Sequence, residues 1–397
     1  MTPKQLTQEV YSELTENILP FWLNKMVDIE RGGFYGRIDG NNQLHADAEK
    51  GAILNARILW TFSAAYRVLG RPEYLEAATR AKDYIIKHFY DQEYGGTYWS
   101  LDCDGKPKDT KKQFYAIGFM IYGMSEYSRA TKDKEALDYA IRLFECIEEH
   151  SLDVVYNGYV EAATREWGKI EDMRLSDFDA NFPKSQNTHL HIIEPYTNLF
   201  RIWKDTRLER ALRNLINIFT DKILNPETHH LDLFFENDWT RGAGHLESYG
   251  HDIECSWLMH EAALVLGDKE VLAKVEPIVQ LVAKASEKGL NSDGSMVHEA
   301  NVGTGHIDDD LHWWVQAEAV VGFYNVYQYF ADSSALEKSV RCWQYIKDNL
   351  IDNEHGEWYW SRHADGSLNT TDDKAGFWKC PYHNGRMCLE IIERNEV

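Results

Sequence analysis

The sequence predicts an all-α fold: an (α/α)6 barrel, a toroid of six helical hairpins with short β-hairpins at its cleft end. Three observations point to it. A glycine followed by an extended aromatic or β-branched stretch recurs along the whole chain, and paired helical patterns fill the intervals between these marks. The first helix of each pair is apolar nearly all round and the second is more charged, as expected for inner and outer rings.

The marks are Gly33-Phe34-Tyr35, Gly96-Thr97-Tyr98-Trp99, Gly158-Tyr159-Val160, the glycine-less Leu231-Asp232-Leu233-Phe234-Phe235, Gly294-Ser295-Met296-Val297 and Gly356-Glu357-Trp358-Tyr359-Trp360. Glycine to glycine, the steps are 63 (33 to 96) and 62 (96 to 158), then 136 (158 to 294) holding two units and an insertion, then 62 (294 to 356). Apolar residues at i, i+3, i+4 spacing predict helices over 50–69 with 73–90, 112–131 with 134–149, and 187–203 with 206–223. The same spacing predicts 251–266 with 268–287 and 311–330 with 333–350, while 4–26 and 378–394 form a terminal pair that closes the ring. Short polar intervals such as Thr131-Lys132-Asp133 and Leu266-Gly267-Asp268 suit tight helical hairpins. A linear helical solenoid also stacks hairpins, but the count of six with strand insertions favours the closed toroid, a single domain over 1–397.

Composition narrows the function. Among 397 residues, 42 basic against 64 acidic side chains give a net charge of −22, which argues against nucleic-acid or anionic-membrane partners. No apolar run reaches membrane-spanning length, and the N-terminus mixes charge throughout, unlike a signal peptide. The six cysteines are scattered without a CxxC pair, as in a reducing compartment. These features predict a soluble, cytoplasmic protein. The 13 Trp and 22 Tyr, several beside Gly, Asp or His, suit sugar recognition, because the C–H face of a pyranose packs on a flat ring.

Histidine is the first candidate for proton transfer near neutral pH. His88, His150, His229, His230 and His355 fall at helix ends or in polar loops and read as solvated or capping groups. His191, His251 and His383 fall at the starts of inner helices, which converge on the toroid axis, so they can meet in one central cleft with Arg57 and Tyr115. His191 with Glu194, and His251 with Glu254, stand at i, i+3 and share a helix face, so each carboxylate is expected to orient its imidazole. A metal site is disfavoured: no HExxH or Cys/His spacing is present, and His189 and His191 face different ways on a helix. A glycoside hydrolase would need two carboxylates across the cleft, which Asp308, Asp309, Asp310, Glu318 and Asp252 could supply. No P-loop, GxGxxG or GxSxG is present.

The segments LNAR (54–57), NTHLHIIEPY (187–196), GHDIECSWL (250–258), WWVQAE (313–318) and FWKCPYHNGR (377–386) together resemble the N-acylglucosamine 2-epimerase superfamily, in family order along the whole chain. The resemblance implies an (α/α)6 barrel that inverts C2 of a sugar. It implies His251 and His383 as the acid/base pair, with His191 and Arg57 at the reacting end and Asn187, Glu254 and Tyr115 in support. Trp314 and Trp378 would hold the sugar rings, and Glu318 would hydrogen-bond a hydroxyl. The Trp313-Trp314 doublet and FWKCPYHNGR favour the branch that epimerises the reducing-end glucose of β-1,4-linked disaccharides such as cellobiose and lactose. The alternatives are an N-acylglucosamine epimerase or mannose isomerase of the same fold, or an (α/α)6 glycoside hydrolase. Deprotonation at C2, a cis-enediol intermediate and reprotonation from the other face require no cofactor and no metal. The expected partner is the small-molecule substrate alone, on a monomer or weak homodimer.

Overall fold

The computed structural model describes residues 1–177, 179–242 and 246–395. Helices α1 (Pro3–Ser12) and α2 (Leu19–Lys25) are joined by π-helical turns at Glu13–Ile18. Then follow α3 (Ala52–Leu69), α4 (Pro72–Tyr84), α5 (Phe114–Thr131), α6 (Lys134–His150), α7 (Gln186–Ile202) and α8 (Thr206–Ile218). The last five are α9 (Tyr249–Leu266), α10 (Lys269–Ser286), α11 (Trp313–Phe330), α12 (Ser333–Asn349) and α13 (Tyr382–Asn395).

Helices α3, α5, α7, α9, α11 and α13 pack in succession, and α13 returns to α3, so the inner ring is closed as the repeat predicts. Each carries its outer partner, with α1 covering α13. Burial follows the same division. In α5 every side chain from Phe114 to Ser128 is buried, whereas α6 buries only Ala136, Ala140, Leu143, Phe144 and Ile147, one stripe of an amphipathic helix. The hairpin turns have a local cause. Four inner helices, α3, α5, α9 and α11, end on a left-handed residue (Gly70, Lys132, Gly267, Ala331), and after the last three an aspartate (Asp133, Asp268, Asp332) immediately caps the next helix.

The first helix runs unbroken from Pro3 to Lys25 with a π-helical segment in its middle, but the last begins at Tyr382, not 378, because Pro381 favours a helix start and has no N–H to continue one from upstream. Trp378 therefore sits in the loop before α13. His230 also differs: it is buried, its Nδ1 lying 2.6 Å from Asp252 Oδ2, rather than solvated.

The strand segments fix where the inner helices begin. Lys50–Gly51 pairs with Ser100–Leu101, Lys112–Gln113 with Ala162–Ala163, Lys184–Ser185 with Phe234–Phe235, Leu246–Ser248 with Glu299–Asn301, and Leu311–His312 with Ser361–Arg362. At each junction the first helical N–H extends the pairing: Ala52 donates to Trp99 O, Phe114 to Glu161 O, Gln186 to Leu233 O, Tyr249 to His298 O and Trp313 to Trp360 O. The repeat marks close tight turns after the outer helices, at Phe34, Thr97, Tyr159, Leu231, Met296 and Trp358. In the glycine-less unit His229 takes the left-handed backbone (φ 62°).

Buried ion pairs tie these turns to the inner-helix starts. Lys50 Nζ lies 2.8 Å from Asp28 Oδ2, Lys112 Nζ 2.9 Å from Asp91 Oδ2, and Lys184 Nζ 2.8 Å from Asp153 Oδ2. Each ammonium also donates to a turn carbonyl, of Gly32, Gly95 or Asn157. No helix among the described residues is long and apolar enough to cross a membrane.

Removing one partner of a buried pair strands the other charge. Asp91→Ala is expected to lower unfolding free energy by about 3–5 kcal/mol, read as an earlier denaturant midpoint at similar slope. An unchanged midpoint would show that the pair contributes nothing.

Candidate active site

The N-terminal ends of the inner helices surround a cleft of about 570 Å³. Arg57, Tyr115, Asn187, His191, His251, Glu254, Trp314, Trp378 and His383, all singled out from the sequence, line it; Glu318 lies directly behind.

His383 opens α13. Its Nδ1 lies 2.7 Å from Glu318 Oε1, so Nδ1 carries the proton and Nε2 is left with its lone pair. Burial holds the ring neutral, with its pKa down to about 3. His251, in the first turn of α9, is backed differently: its Nδ1 lies 2.8 Å from Ser248 Oγ. Burial and the neighbouring His298, His191 and His383 hold its pKa down to about 3. Trp314 of α11 packs against both imidazoles, its ring 4.9 Å from His251 and 5.6 Å from His383.

The expected His251–Glu254 pair does not form, and Glu318 is not free for a sugar hydroxyl. The reason is Arg386, a fully buried guanidinium on α13 that the sequence reading passed over. Its Nη2 donates to Glu254 Oε1 at 2.7 Å and to Glu318 Oε1 at 2.6 Å, and its Nη1 donates to Glu194 and to the Tyr382 hydroxyl. Its faces lie against Trp257 and Tyr382. Trp257 Nε1 takes the remaining oxygen of Glu318 at 3.0 Å. One cation among three carboxyls leaves them unequal. Burial opposes charge on Glu318, but Arg386 and His383 hold its carboxyl well below the usual range. Burial and the Glu318 charge push Glu254 up, and burial pushes Glu194 up.

His191 owes its place to a break in α7. Pro195 has no N–H to give the carbonyl four residues back, which is that of His191, and His191 leaves helical geometry (φ −89°, ψ 15°). Its Nδ1 reaches Glu194 Oε2 at 3.0 Å, as the spacing predicts, and its ring packs on Tyr115 and Phe119. The kink fits because α5 presents Gly118: a Cβ there would stand 2.3 Å from His191 O. His189 is turned away and spent on backbone, at Ser185 O and Tyr159 N–H.

Arg57 of α3 donates to Tyr115 Oη at 2.9 Å and to Trp378 O at 3.4 Å, with Cys380 Sγ 3.8 Å away. Among the described residues its Nε–H has no partner, nor do Asn187 Oδ1, Glu254 Oε2, or either end of the Gln186 amide. Gln186 is 1% exposed and lines the cleft, yet the sequence offered no sign of it beyond its place before Asn187. Trp378 meets Trp99 and Phe377, forming an aromatic wall. The carboxylates considered for a hydrolase are engaged elsewhere: Asp252 with His230, Asp308 with His298, and Asp310 with His363.

Fold and site thus define an (α/α)6 barrel with a histidine-lined cleft at the inner-helix N-termini. The chain belongs to the N-acylglucosamine 2-epimerase (GlcNAc 2-epimerase) family, whose model matches residues 33–385. It is 64% identical to a cellobiose 2-epimerase of Bacteroides fragilis, over 98% of both chains. It is 42% identical to one of Ruminococcus albus, over 98% of this chain and 99% of that one. The solved cellobiose 2-epimerase of Bacillus thermoamylovorans B4167 superposes with a TM-score of 0.93 at 43% identity, covering 98% of this chain and all of that one.

Gly118→Ala is expected to force α5 and α7 apart at His191, lowering both thermal midpoint and kcat; a variant with both intact would show that the kink tolerates a methyl group. Glu318→Gln keeps the shape but removes the charge facing His383. It is expected to lower kcat with little change in KM, and forward and reverse kcat/KM should fall by the same factor, since the reaction equilibrium is fixed. A kcat equal to that of the unaltered protein would refute an orienting role for Glu318.

Proposed function

We propose that this protein is a carbohydrate epimerase that reversibly inverts C2 of the reducing-end glucose in β-1,4-linked disaccharides, converting cellobiose to 4-O-β-D-glucosyl-D-mannose and lactose to epilactose. One observation carries the reading: two imidazoles with different backing, a carboxylate and a hydroxyl, pack against one aromatic ring in the cleft of a chain that matches cellobiose 2-epimerases over 98% of its length. The cleft volume lies in the range that holds ligands of this size.

Once the ring opens, the C1 aldehyde acidifies the proton on C2. In the glucose-to-mannose direction His383 Nε2 takes that proton, and the Glu318 carboxylate stabilises the imidazolium that forms. Charge grows on O1 of the cis-enediolate, where the unpaired Arg57 Nε–H and the inner-helix N-termini are available to it. On the opposite face His251, charged as an imidazolium in the working complex with Ser248 Oγ beside its Nδ1, delivers a proton from Nε2 to C2 and is left neutral, so the proton gained by His383 balances the one lost by His251. The return reaction exchanges the roles, and solvent restores each ring between turnovers. Trp314 and Trp378 supply the apolar platforms for the two sugar residues, and Asn187, Gln186 and the Glu254 carboxyl offer open polar atoms to hydroxyl groups.

Incubation of the purified protein with cellobiose in D2O tests the scheme. The expected product is the C2 epimer carrying deuterium at C2; free glucose, or an epimer without deuterium, would refute it. His251→Ala and His383→Ala should each lose about 10²–10⁴-fold in kcat, with circular dichroism unchanged. Either variant turning over near the normal rate would remove that residue from the acid/base pair.

A further inference from the structure

We propose that His298, Asp308 and His312 form a binding site for a divalent transition-metal ion of zinc's class at the rim of the cleft, and that an ion held there inhibits the enzyme. The three side chains present ligand atoms that all lie within 4.8 Å of one another. His298 Nδ1 is 2.8 Å from Asp308 Oδ2, and the His298 and His312 rings lie 4.6 Å apart at 20° to each other.

The scaffold is well defined. Asp308 ends a strand paired with Glu299–Asn301, in register with Glu299, so His298 falls beside it. His312 ends the next strand, held against Ser361. Two imidazoles and a carboxylate are a borderline ligand set suited to zinc, cobalt or nickel, with solvent completing the shell. Ligand bonds of about 2 Å require the three groups to close on the ion from this spacing. Asp308 is 37% exposed and His298 19%, which gives an ion a way in. Among the described residues no lysine or arginine pairs with these three. The other cluster of this kind among the described residues, Glu254, Glu318 and His383, already surrounds the Arg386 cation, which repels a second one.

The site touches the catalytic groups through Trp314, whose ring meets His298 at 5.5 Å and His251 at 4.9 Å. An ion that draws His298 and His312 inward displaces the Trp314 edge. It also places positive charge near His251, which opposes formation of the imidazolium during turnover.

Calorimetric titration of the full chain with zinc chloride at pH 7 reads binding without reference to activity. The experiment compares the unaltered protein with His312→Gln and Asp308→Asn, each checked by circular dichroism, and visible absorption of the cobalt form reports imidazole and carboxylate ligation. Loss of even an outer partner of a metal ligand costs about 10–100-fold in affinity, so each variant should weaken binding by at least that. The inhibition rests on the epimerase reading. His312→Gln should keep its metal-free kcat and require a correspondingly higher zinc concentration for half-inhibition. Absence of a stoichiometric site, unchanged affinity in both variants, or unchanged half-inhibition in His312→Gln would each overturn the proposal. If no epimerase activity were found at all, the calorimetry would still decide the site.

Discussion

One guanidinium ties the inner ring together. Arg386 on α13 reaches carboxyl groups on α7, α9 and α11, so four of the six inner helices meet at a single buried cation. A lone buried charge is costly, and the cost falls only when its partners are in place with good geometry. The ring diameter at this level is therefore set by the reach of an arginine fork, which a lysine could not span. The same contact sets the chemistry. Arg386 and His383 hold the Glu318 carboxyl below the usual range while burial pushes Glu254 and Glu194 up, so the carboxyl that ionises most readily is the one that faces His383. Structural and catalytic demands converge on one pair of nitrogen atoms.

Away from the axis, the cleft end is held by repetition. Each buried lysine before an inner helix is bound to an aspartate in the preceding turn, and the first helical N–H of the inner helix is bound to the next connection. Side chains projecting from the first turns thus start from fixed points. That explains how residues such as Arg57, His191, His251 and His383, far apart in sequence, are brought together without long loops to carry them.

The barrel was legible because its periodicities are local: apolar residues every three or four positions, and marks about sixty residues apart. The three histidines were legible because each opens an inner helix in a polar context. Arg386 was not, since its carboxyl partners stand 68, 132 and 192 residues away and no local spacing connects them. The same distance misled the reading of Glu254. Its i, i+3 relation to His251 is real, but a buried cation attracts a carboxylate more strongly than a neutral ring, and Ser248 satisfies the imidazole instead. For His191 no rival cation took the second oxygen of Glu194, and the local pairing stands. The kink was readable in principle, as Pro195 lies four residues after His191, but its complement, Gly118, lies on another helix.

Ring closure through α13 also bears on how the molecule is made. The last inner helix to leave the ribosome carries both the cation that three earlier helices require and the imidazole that Glu318 orients. Without α13 the carboxyls of α7, α9 and α11 would face one another with no cation among them. The helix that satisfies those charges is also the one that completes the cleft, so closure of the ring and assembly of the site are one event.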